Sequence, residues 1–187
     1  GGTSGEAKGI VATITDIHTI PFFTTVPYNA LVLSTQELVD QVNAAMQAYQ
    51  LPFTYQLGQN PFLINDPTSS HPLFKVRQME EGELVLLTIP QDSIKCAGMG
   101  IISPTTFVPY PIPDQYVLTA DEITEIETAI DGYNQTIVGL AQTNGLAVVD
   151  MNAKLKELES GIIWDAIEMN TTFVSGGVFS LDGIHLT

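Results

Sequence analysis

Asp182 and His185 stand three positions apart in the glycine-flanked segment GGVFSLDGIHLT, residues 176–187. An imidazole can accept a proton from a nucleophile while a neighbouring carboxylate holds its tautomer and stabilises the imidazolium. The spacing lets both side chains reach the same side of one turn. The pair is therefore suited to proton transfer.

Two other interpretations of this pair stay open. Asp182-Gly183 is common turn chemistry, so the aspartate could simply shape a turn and leave His185 as a surface or core residue. A metal pair is the other possibility, but metal sites need further ligands, and the remaining histidines are His18 and His71. No metal ion or cofactor is expected from the sequence.

Two predicted strands and a helix between them provide the scaffold. Lys8–Ile14 (KGIVATI) and Leu146–Met151 (LAVVDM) are short apolar runs typical of strands buried in parallel sheets. Ala120–Thr143 has apolar residues at steps of three and four, and Gly145 is a suitable carboxyl-terminal cap. Strand, helix and strand in this order predict an α/β fold in which the two strands pair in parallel, with the helix packed across a face.

The first strand leads into a segment rich in Thr, Pro and aromatic residues, then into a predicted helix. The segment TDIHTIPFFTTVPYN (15–29) reads as a long loop at the carboxyl end of the strand, where open α/β sheets bind ligands. Ser34 and Glu37 form a capping box that predicts the start of a helix. Residues 51–118 are rich in proline, with short strand-like pieces at 53–57 and 83–89. This part is predicted to be an irregular inserted cap with at most short strand pairs.

The chain is therefore divided, within one partial domain, into three parts. Residues 1–50 supply a strand, the loop beside the site and a helix; residues 51–118 form the insertion; residues 119–187 supply the core helix, a strand and the Asp-x-x-His loop. In the third part, a helix is predicted at Asn152–Leu158, followed by an irregular run over 161–177.

Composition limits the partners of the protein. Of 187 residues, 44% are hydrophobic and 14% are charged, which is a globular composition. Six Lys and Arg against 21 Asp and Glu give a net charge of −15, which repels phosphate backbones and anionic membrane surfaces. Nucleic acid is therefore not an expected partner. Cys96 is the only cysteine, so no internal disulfide is expected.

An ordered set of sequence blocks resembles the carboxyl-terminal half of a Bacteroidetes-type branch of the SGNH, or GDSL-like, hydrolases, a family of lipases and acylhydrolases. The similarity covers nearly the whole chain. The blocks are AKGIVATITDIHTIPFFTTVPYNAL (7–31), NPFLINDP (60–67), PIPDQYVLTADE (111–122), YNQTIVGLAQTNGLAVVDMNA (133–153) and FVSGGVFSLDGIHLT (173–187).

The resemblance implies a fold and an activity. The fold would be a flavodoxin-like three-layer α/β/α SGNH-hydrolase fold with a parallel sheet, and the activity would be the hydrolysis of carboxylic esters. By this resemblance, Asp182 is the acid and His185 the general base of a Ser-His-Asp triad. Such proteins are often cell-envelope lipoproteins, which implies a periplasmic or outer-membrane-anchored location and a lipid, carbohydrate or other small-molecule ester as substrate.

The nucleophile block of the family does not occur in this chain. The family has a Gly-Asp-Ser-Leu-like block and two blocks with oxyanion-hole Gly and Asn before the strand that here begins at Lys8, and a closing helix after the Asp-x-x-His loop. The chain is therefore expected to be part of a longer protein and to be inactive alone. Ser175 and Ser180 lie too close to His185 for the separate strand-to-helix turn of a nucleophile, and local capping or loop solvation is their simpler role.

Five further residues are candidates for lining the substrate pocket. Family topology would place Asp16 and His18, at the end of the first strand, near the site, although both could serve only the loop. Phe22, Phe23 and Tyr28 could form an acyl-binding wall, or they could simply cover the core.

Two functions follow from these observations. In the first, the chain is the carboxyl-terminal part of a serine ester hydrolase. In the second, it is a non-catalytic, acidic binding module of the cell envelope whose groove is the aromatic loop from Phe22 to Tyr28. A Gly-Asp-Ser block encoded upstream would favour the enzyme.

Overall fold

A computed structural model describes residues 9–187, which form a mixed α/β structure with five helices and short strands. The chain divides into two compact units. Unit 1 contains the described residues up to Phe22 together with Asp121–Thr187, and unit 2 is Phe23–Ala120. The sequence-based division instead separated residues 1–50 from 51–118, whereas the structure places the helix of the first of these parts in unit 2.

The helices and strands are short except for one helix. The α-helices are α1 Pro21–Thr24, α2 Gln36–Ala48, α3 Gln91–Cys96, α4 Ala120–Asn144 and α5 Met151–Glu159, with single 3-10 turns at Ile17–Thr19 and Asp114–Tyr116. The strands are β1 Ile10–Ala12, β2 Leu31–Leu33, β3 Gly58–Asn60, β4 Leu63–Asn65, β5 Val76–Gln78, β6 Leu84–Val85, β7 Ile101–Ile102, β8 Pro109–Tyr110, β9 Val117–Leu118, β10 Ala147–Val149, β11 Ile162–Trp164 and β12 Ile167–Met169. These strands pair two by two.

The predicted parallel pairing is confirmed in unit 1. Strand β1 pairs in parallel with β10, with Val11 opposite Val148. The backbone N–H of Met151, at the start of α5, donates to the Thr13 hydroxyl at 2.9 Å and so ties the ends of both strands together. Lys8, the first residue of the predicted strand, lies outside the described residues.

The expected burial of these strands is wrong for the described part of the chain. Ile10 is 72% exposed, and all three residues of β10 are exposed. A sheet of two three-residue strands is about 10 Å long and has no neighbouring strand that would extend it among residues 9–187. Apolar strand composition therefore predicted the pairing but not the burial.

Helix α4 confirms the predicted helix and its carboxyl-terminal cap. Gly145 has φ +64°, and the N–H groups of Leu146 and Gly145 donate to the carbonyls of Ala141 and Gln142 at 2.9 and 3.4 Å. These are the two bonds of a Schellman motif, which needs a residue with positive φ at the position of Gly145.

The apolar stripe of α4 is only partly buried. Ile123 is buried, whereas Tyr133 and Leu140 are 60% and 59% exposed. A helix of 25 residues is about 38 Å long, several times longer than the small β1–β10 sheet. The side chain of Asn134 ties the helix to the segment directly after β1, because it accepts from the N–H of Ile14 at 2.7 Å and donates to its carbonyl at 2.9 Å.

Two local predictions need correction. Helix α2 is capped by Thr35, whose hydroxyl accepts from the N–H of Leu38, so the predicted cap at Ser34 is one residue early.

The run over 161–177, which was predicted to be irregular, contains the hairpin β11–β12. Its two turn residues, Asp165 and Ala166, have φ of +50° and +64°, as a two-residue type I′ turn requires. Alanine is an uncommon residue at positive φ, which hid the turn in the sequence.

The segment 53–57 is not a strand, although its composition suggested one. The side-chain amide of Asn43, in α2, donates to the carbonyl of Tyr55 at 2.9 Å and accepts from its N–H at 2.8 Å. One side chain therefore provides both hydrogen bonds that a neighbouring strand would have supplied. In the other strand-like piece, only Leu84–Val85 is extended and paired, with β9.

Unit 2 has its own buried residues between strand pairs of two or three residues. One cluster joins α2 to the β-segments through Val42, Met46, Leu63 and Ile102. A second cluster includes Phe62, Val85 and Ile112. Within residues 9–187, no helix is both long and apolar enough to cross a membrane.

Arg77 and Glu83 form a bidentate ion pair in unit 2. Arg77 Nη1 lies 2.7 Å from Glu83 Oε2, and Nη2 lies 2.5 Å from Oε1. The Glu83 side chain is 2% exposed. Burial alone would raise the pKa of Glu83, but hydrogen bonds from Arg77 and from the N–H of Glu80, with the charge of Arg77, hold this pKa below its ordinary value. Glu83 is therefore an ionised, buried carboxylate.

Arg77→Met should lower the free energy of unfolding by about 3–5 kcal/mol, because it leaves the buried Glu83 carboxylate without its partner. Urea denaturation measures this loss. Lys154→Met is the matched control, since Lys154 and Glu157 pair with side chains 53% and 56% exposed and should lose no more than about 1 kcal/mol. Equal losses of unfolding free energy in the two variants would contradict the description of Arg77 and Glu83 as a buried, stabilising ion pair.

Tyr55 should titrate late in an alkaline titration. Its side chain is buried, and this burial raises the pKa of Tyr55 to about 12 from an ordinary value of 10.0. The raised pKa stabilises the folded state fully below the unfolded value, and this stabilisation is lost as pH rises through the folded value. Tyrosinate absorbance should therefore show a late phase that Tyr55→Phe removes. If Tyr55→Phe leaves the alkaline end of the tyrosinate absorbance curve unchanged, the raised pKa of Tyr55 is wrong.

Candidate functional site

The Asp-x-x-His segment forms a closed loop in unit 1. Phe179 and Leu186 face each other in an antiparallel bridge, and the N–H of Ser180 donates to the carbonyl of His185 at 2.7 Å. Gly183 has φ +73°, a conformation that glycine adopts without steric cost. The loop from Ser180 to His185 is thus closed by hydrogen-bonded backbone at both of its ends.

A small buried cluster anchors this loop. Val178 and Phe179, directly before it, are buried together with Leu155 and Leu158 of α5. Because α5 is capped by Asp150, whose carboxylate accepts from the N–H of Ala153 at 3.0 Å, the anchor is a well-formed helix. The loop therefore projects from a packed base.

Asp182 and His185 are in direct contact. Asp182 Oδ2 lies 2.6 Å from His185 Nδ1. The other carboxylate oxygen, Oδ1, accepts from the hydroxyl of Ser180 at 2.6 Å, from the N–H of Ile184 at 2.9 Å and from the N–H of His185 at 3.0 Å. The aspartate therefore shapes the turn with one oxygen and holds the imidazole with the other.

These hydrogen bonds keep Asp182 ionised. Donation from Ser180, then from the His185 ring and from the N–H groups of Ile184 and His185, holds the pKa of Asp182 far below its ordinary value. The carboxylate form is thus favoured in the folded loop at any pH above the ordinary aspartate range, and is lost only as pH falls through the lowered value. Since a carboxylate can only accept, Nδ1 of His185 carries a proton.

The other ring nitrogen of His185 is available for chemistry. The His185 side chain is 79% exposed, and no partner for its Nε2 occurs among residues 9–187. In the neutral imidazole with a protonated Nδ1, Nε2 is the basic nitrogen. The loop therefore presents a base whose tautomer is fixed by a carboxylate.

Among residues 9–187, neither of the two serines near this histidine in sequence is hydrogen-bonded to its ring. The hydroxyl of Ser180 donates to Asp182 rather than to His185. Ser175 lies before the loop, and its backbone N–H donates to the carbonyl of Phe173 at 2.8 Å. The sequence predicted only local capping or loop solvation for Ser180, not a hydrogen bond to the Asp182 carboxylate. Its position two residues before Asp182 is nevertheless a spacing at which a serine hydroxyl can reach a carboxylate of the same turn.

Asp16 and His18 lie in a second polar group of unit 1. Asp16 Oδ1 accepts from the N–H of His18 at 2.9 Å. His18 Nε2 lies 3.3 Å from Glu127 Oε1, and Lys156 Nζ lies 3.3 Å from Asp16 Oδ2. Glu127 and Lys156 are more than 100 residues away in sequence, so no sequence spacing could have revealed this group.

The three aromatic candidates are divided between the units. Phe22, in α1, belongs to unit 1, and its N–H donates to the carbonyl of Gly183 at 2.9 Å, inside the Asp-x-x-His loop. Phe23 and Tyr28 belong to unit 2. Tyr28 packs against the buried cluster around Phe62, as the core-covering interpretation expects.

The Asp182–His185 pair has no third metal ligand nearby in the part of the chain that the structure describes. In that part, the only group of three ligating side chains is Asp16, His18 and Glu127.

His71, the remaining histidine, has a structural role. Its Nε2 lies 2.9 Å from the carbonyl oxygen of Tyr49, and its Nδ1 accepts from the N–H of Phe74 at 3.0 Å. His71 is therefore a structural residue of unit 2.

Comparison with known proteins gave no match. No protein-family model, curated protein or solved structure matched this chain. Functional inference therefore depends on the residues and on the geometry of unit 1.

Proposed function

We propose that this chain is the carboxyl-terminal part of a serine ester hydrolase of the SGNH, or GDSL-like, type. Asp182 is the acid and His185 the general base of a Ser-His-Asp triad. The nucleophilic serine lies on a segment that precedes these residues in a longer protein. The substrate is a carboxylic ester of a lipid, carbohydrate or other small molecule.

One observation carries the proposal: the 2.6 Å contact between Asp182 Oδ2 and His185 Nδ1, with Nε2 left exposed. This is the arrangement in which a carboxylate fixes the tautomer and the opposite nitrogen accepts a proton. A turn-forming aspartate needs only backbone donors, so the contact between Oδ2 and the ring exceeds what the turn requires. The resemblance of the sequence blocks to SGNH hydrolases supports the same assignment.

In the proposed reaction the serine is the nucleophile, His185 transfers the proton and Asp182 stays ionised. The serine oxygen attacks the ester carbonyl while its proton passes to Nε2 of His185, and the acyl–enzyme forms as the alkoxy leaving group takes that proton. Water then attacks the acyl–enzyme, with His185 again accepting a proton and returning it to the serine. Asp182 stays ionised and stabilises the imidazolium. Backbone and side-chain N–H groups of the missing segment would stabilise the oxyanion.

Exposure in unit 1 supports a larger fold around the site. Parallel sheets in proteins almost always have both faces covered, yet β10 is exposed at all three residues, and the apolar stripe of α4 is only partly buried. In the proposal, β1, β10 and α4 belong to a flavodoxin-like α/β/α sandwich completed by the preceding segment.

Location and partners follow from the same family. We place the protein in the cell envelope, periplasmic or anchored to the outer membrane through a lipoprotein amino terminus. A net charge of −15 disfavours nucleic acid as a partner.

Hydrolysis of a short-chain aryl ester by the protein encoded by the complete gene tests this function. Activity should be present there, should be lost on treatment with a serine-directed sulfonyl fluoride, and should be absent from residues 1–187 alone. A complete gene without a Gly-Asp-Ser block upstream, together with no hydrolysis, would leave the binding module as the better account.

A further inference from the structure

A second group of ligating side chains in unit 1 lies on two elements that are distant in sequence. Asp16 and His18 come from the 3-10 turn after β1, and Glu127 comes from α4. One ligand atom from each of the three residues lies within 4.8 Å of the other two. Imidazole nitrogen and carboxylate oxygen together form a donor set typical of Zn²⁺ and similar divalent ions.

The distance between two of the three ligands already suits a metal ion. His18 Nε2 and Glu127 Oε1 are 3.3 Å apart. Two ligands bound tetrahedrally to Zn²⁺ at about 2.0–2.1 Å are separated by about 3.3 Å. An ion could therefore sit between these two atoms with little movement of either side chain.

Asp16 is held in place before any ion binds. Its Oδ1 accepts from the N–H of His18 as the cap of the 3-10 turn. One carboxylate oxygen is thus fixed by the backbone, and the other is the oxygen that faces a cationic side chain.

A positive group already approaches this oxygen. Lys156 Nζ lies 3.3 Å from Asp16 Oδ2, and the Lys156 side chain is 53% exposed. A charge-assisted N–H···O bond is usually about 2.7–2.9 Å, so this contact is a loose one. Lys156 can turn to solvent and leave the position to a divalent ion.

An unpartnered polar atom lies in the wall of the same cavity. Asp16, Glu127 and Lys156 line a cavity of about 230 Å³ together with Asn152. The side-chain oxygen of Asn152 is shielded from solvent and has no hydrogen-bond partner among residues 9–187. A buried acceptor of this kind is costly unless a donor or cation satisfies it.

We propose that Asp16, His18 and Glu127 bind one divalent transition-metal ion of the zinc class, with water in the fourth position and Lys156 displaced. The ion ties the turn after β1 to the amino-terminal third of α4. The site shares no residue with the Asp182–His185 pair and does not depend on the proposed role of that pair.

Calorimetric titration of the protein with ZnCl₂, and with CoCl₂ for the visible absorption of bound Co²⁺, tests the site. One ion should bind per chain. Glu127→Gln, which preserves side-chain shape, and His18→Ala should each weaken binding by at least ~10-fold. Lys156→Met should strengthen binding because it removes the competing charge. Glu125→Gln, an exposed acid on the same helix, is the matched control and should bind normally.

Several results would overturn the proposal. These are an absence of Zn²⁺ binding by the unaltered protein, binding that survives both His18→Ala and Glu127→Gln, and binding that is lost in His185→Ala but kept in His18→Ala. Circular dichroism of each variant establishes that it is folded. An increase in melting temperature with Zn²⁺ that Glu127→Gln abolishes would add support that is independent of enzymatic activity.

Discussion

His185→Ala in the complete protein is expected to lower kcat for a short-chain aryl ester by ~10⁴-fold or more. The reason is that Nε2 of His185 is the base presented by the Asp-x-x-His loop, and without it the serine must lose its proton to water. Stopped or continuous assays of aryl alcohol release measure the loss. The effect on KM should be small, because the imidazole acts on the proton rather than on the bound ester.

The structure of the loop makes this test specific. The His185 side chain is 79% exposed, so its removal creates no cavity and should leave the melting temperature within a few degrees of the parent. Ser175→Ala is the matched control in a neighbouring, non-reacting position and should keep its activity. Retention of more than a tenth of the activity in His185→Ala would rule out its role as general base.

Asp182→Asn is expected to reduce kcat by ~10³–10⁴-fold. The Asn oxygen can still accept from Ser180 and from the N–H groups of Ile184 and His185, which preserves the turn. The Asn amide nitrogen, however, faces Nδ1 of His185 with a donor, so the imidazole moves its proton to Nε2. A protonated Nε2 cannot accept the proton of the serine.

Two observations separate this tautomer effect from simple loss of structure. Nitrogen chemical shifts of the ring should show Nδ1–H in the parent and Nε2–H in Asp182→Asn. Ser180→Ala removes only one donor to the carboxylate, at an exposed site where water can replace it, and should cost at most about tenfold. Activity that disappears in Ser180→Ala would instead indicate a nucleophile within this loop.

Local signals in the sequence predicted several elements correctly. The three-to-four spacing of apolar residues and the glycine at 145 were sufficient for α4 and its Schellman cap, because both depend on residues within one or two turns. The parallel pairing of β1 with β10 followed from the order of strand, helix and strand. The three-residue spacing of Asp182 and His185 correctly suggested that both side chains meet on one turn.

Other features depend on contacts that no local pattern encodes. Asn43 satisfies the backbone of Tyr55 from a helix twelve residues away, and it thereby replaces a predicted strand. Asp165 and Ala166 adopt positive φ without glycine because the hairpin register demands it. The burial of β1 and β10 was overestimated. An apolar composition shows that a strand is suited to a buried position, but it does not show whether neighbouring elements are present to cover the strand.

The polar group around Asp16 shows the same limit at a site. Asp16 and His18 were found from their position after a strand, where ligands often bind. Glu127 and Lys156 were not, because α4 and α5 bring them beside the turn only in the folded chain. Sequence position therefore pointed to two of the three proposed metal ligands, and the folded structure to the third.

Mass spectrometric mapping of a fluorophosphonate label on the complete protein tests the central claim most directly. This reagent forms a covalent bond to a serine activated by a histidine base. One labelled serine is expected, on the segment that precedes residues 1–187, and no labelling is expected in His185→Ala. Labelling that persists in His185→Ala, a label on Ser175 or Ser180, or no label at all on a folded complete protein would contradict it.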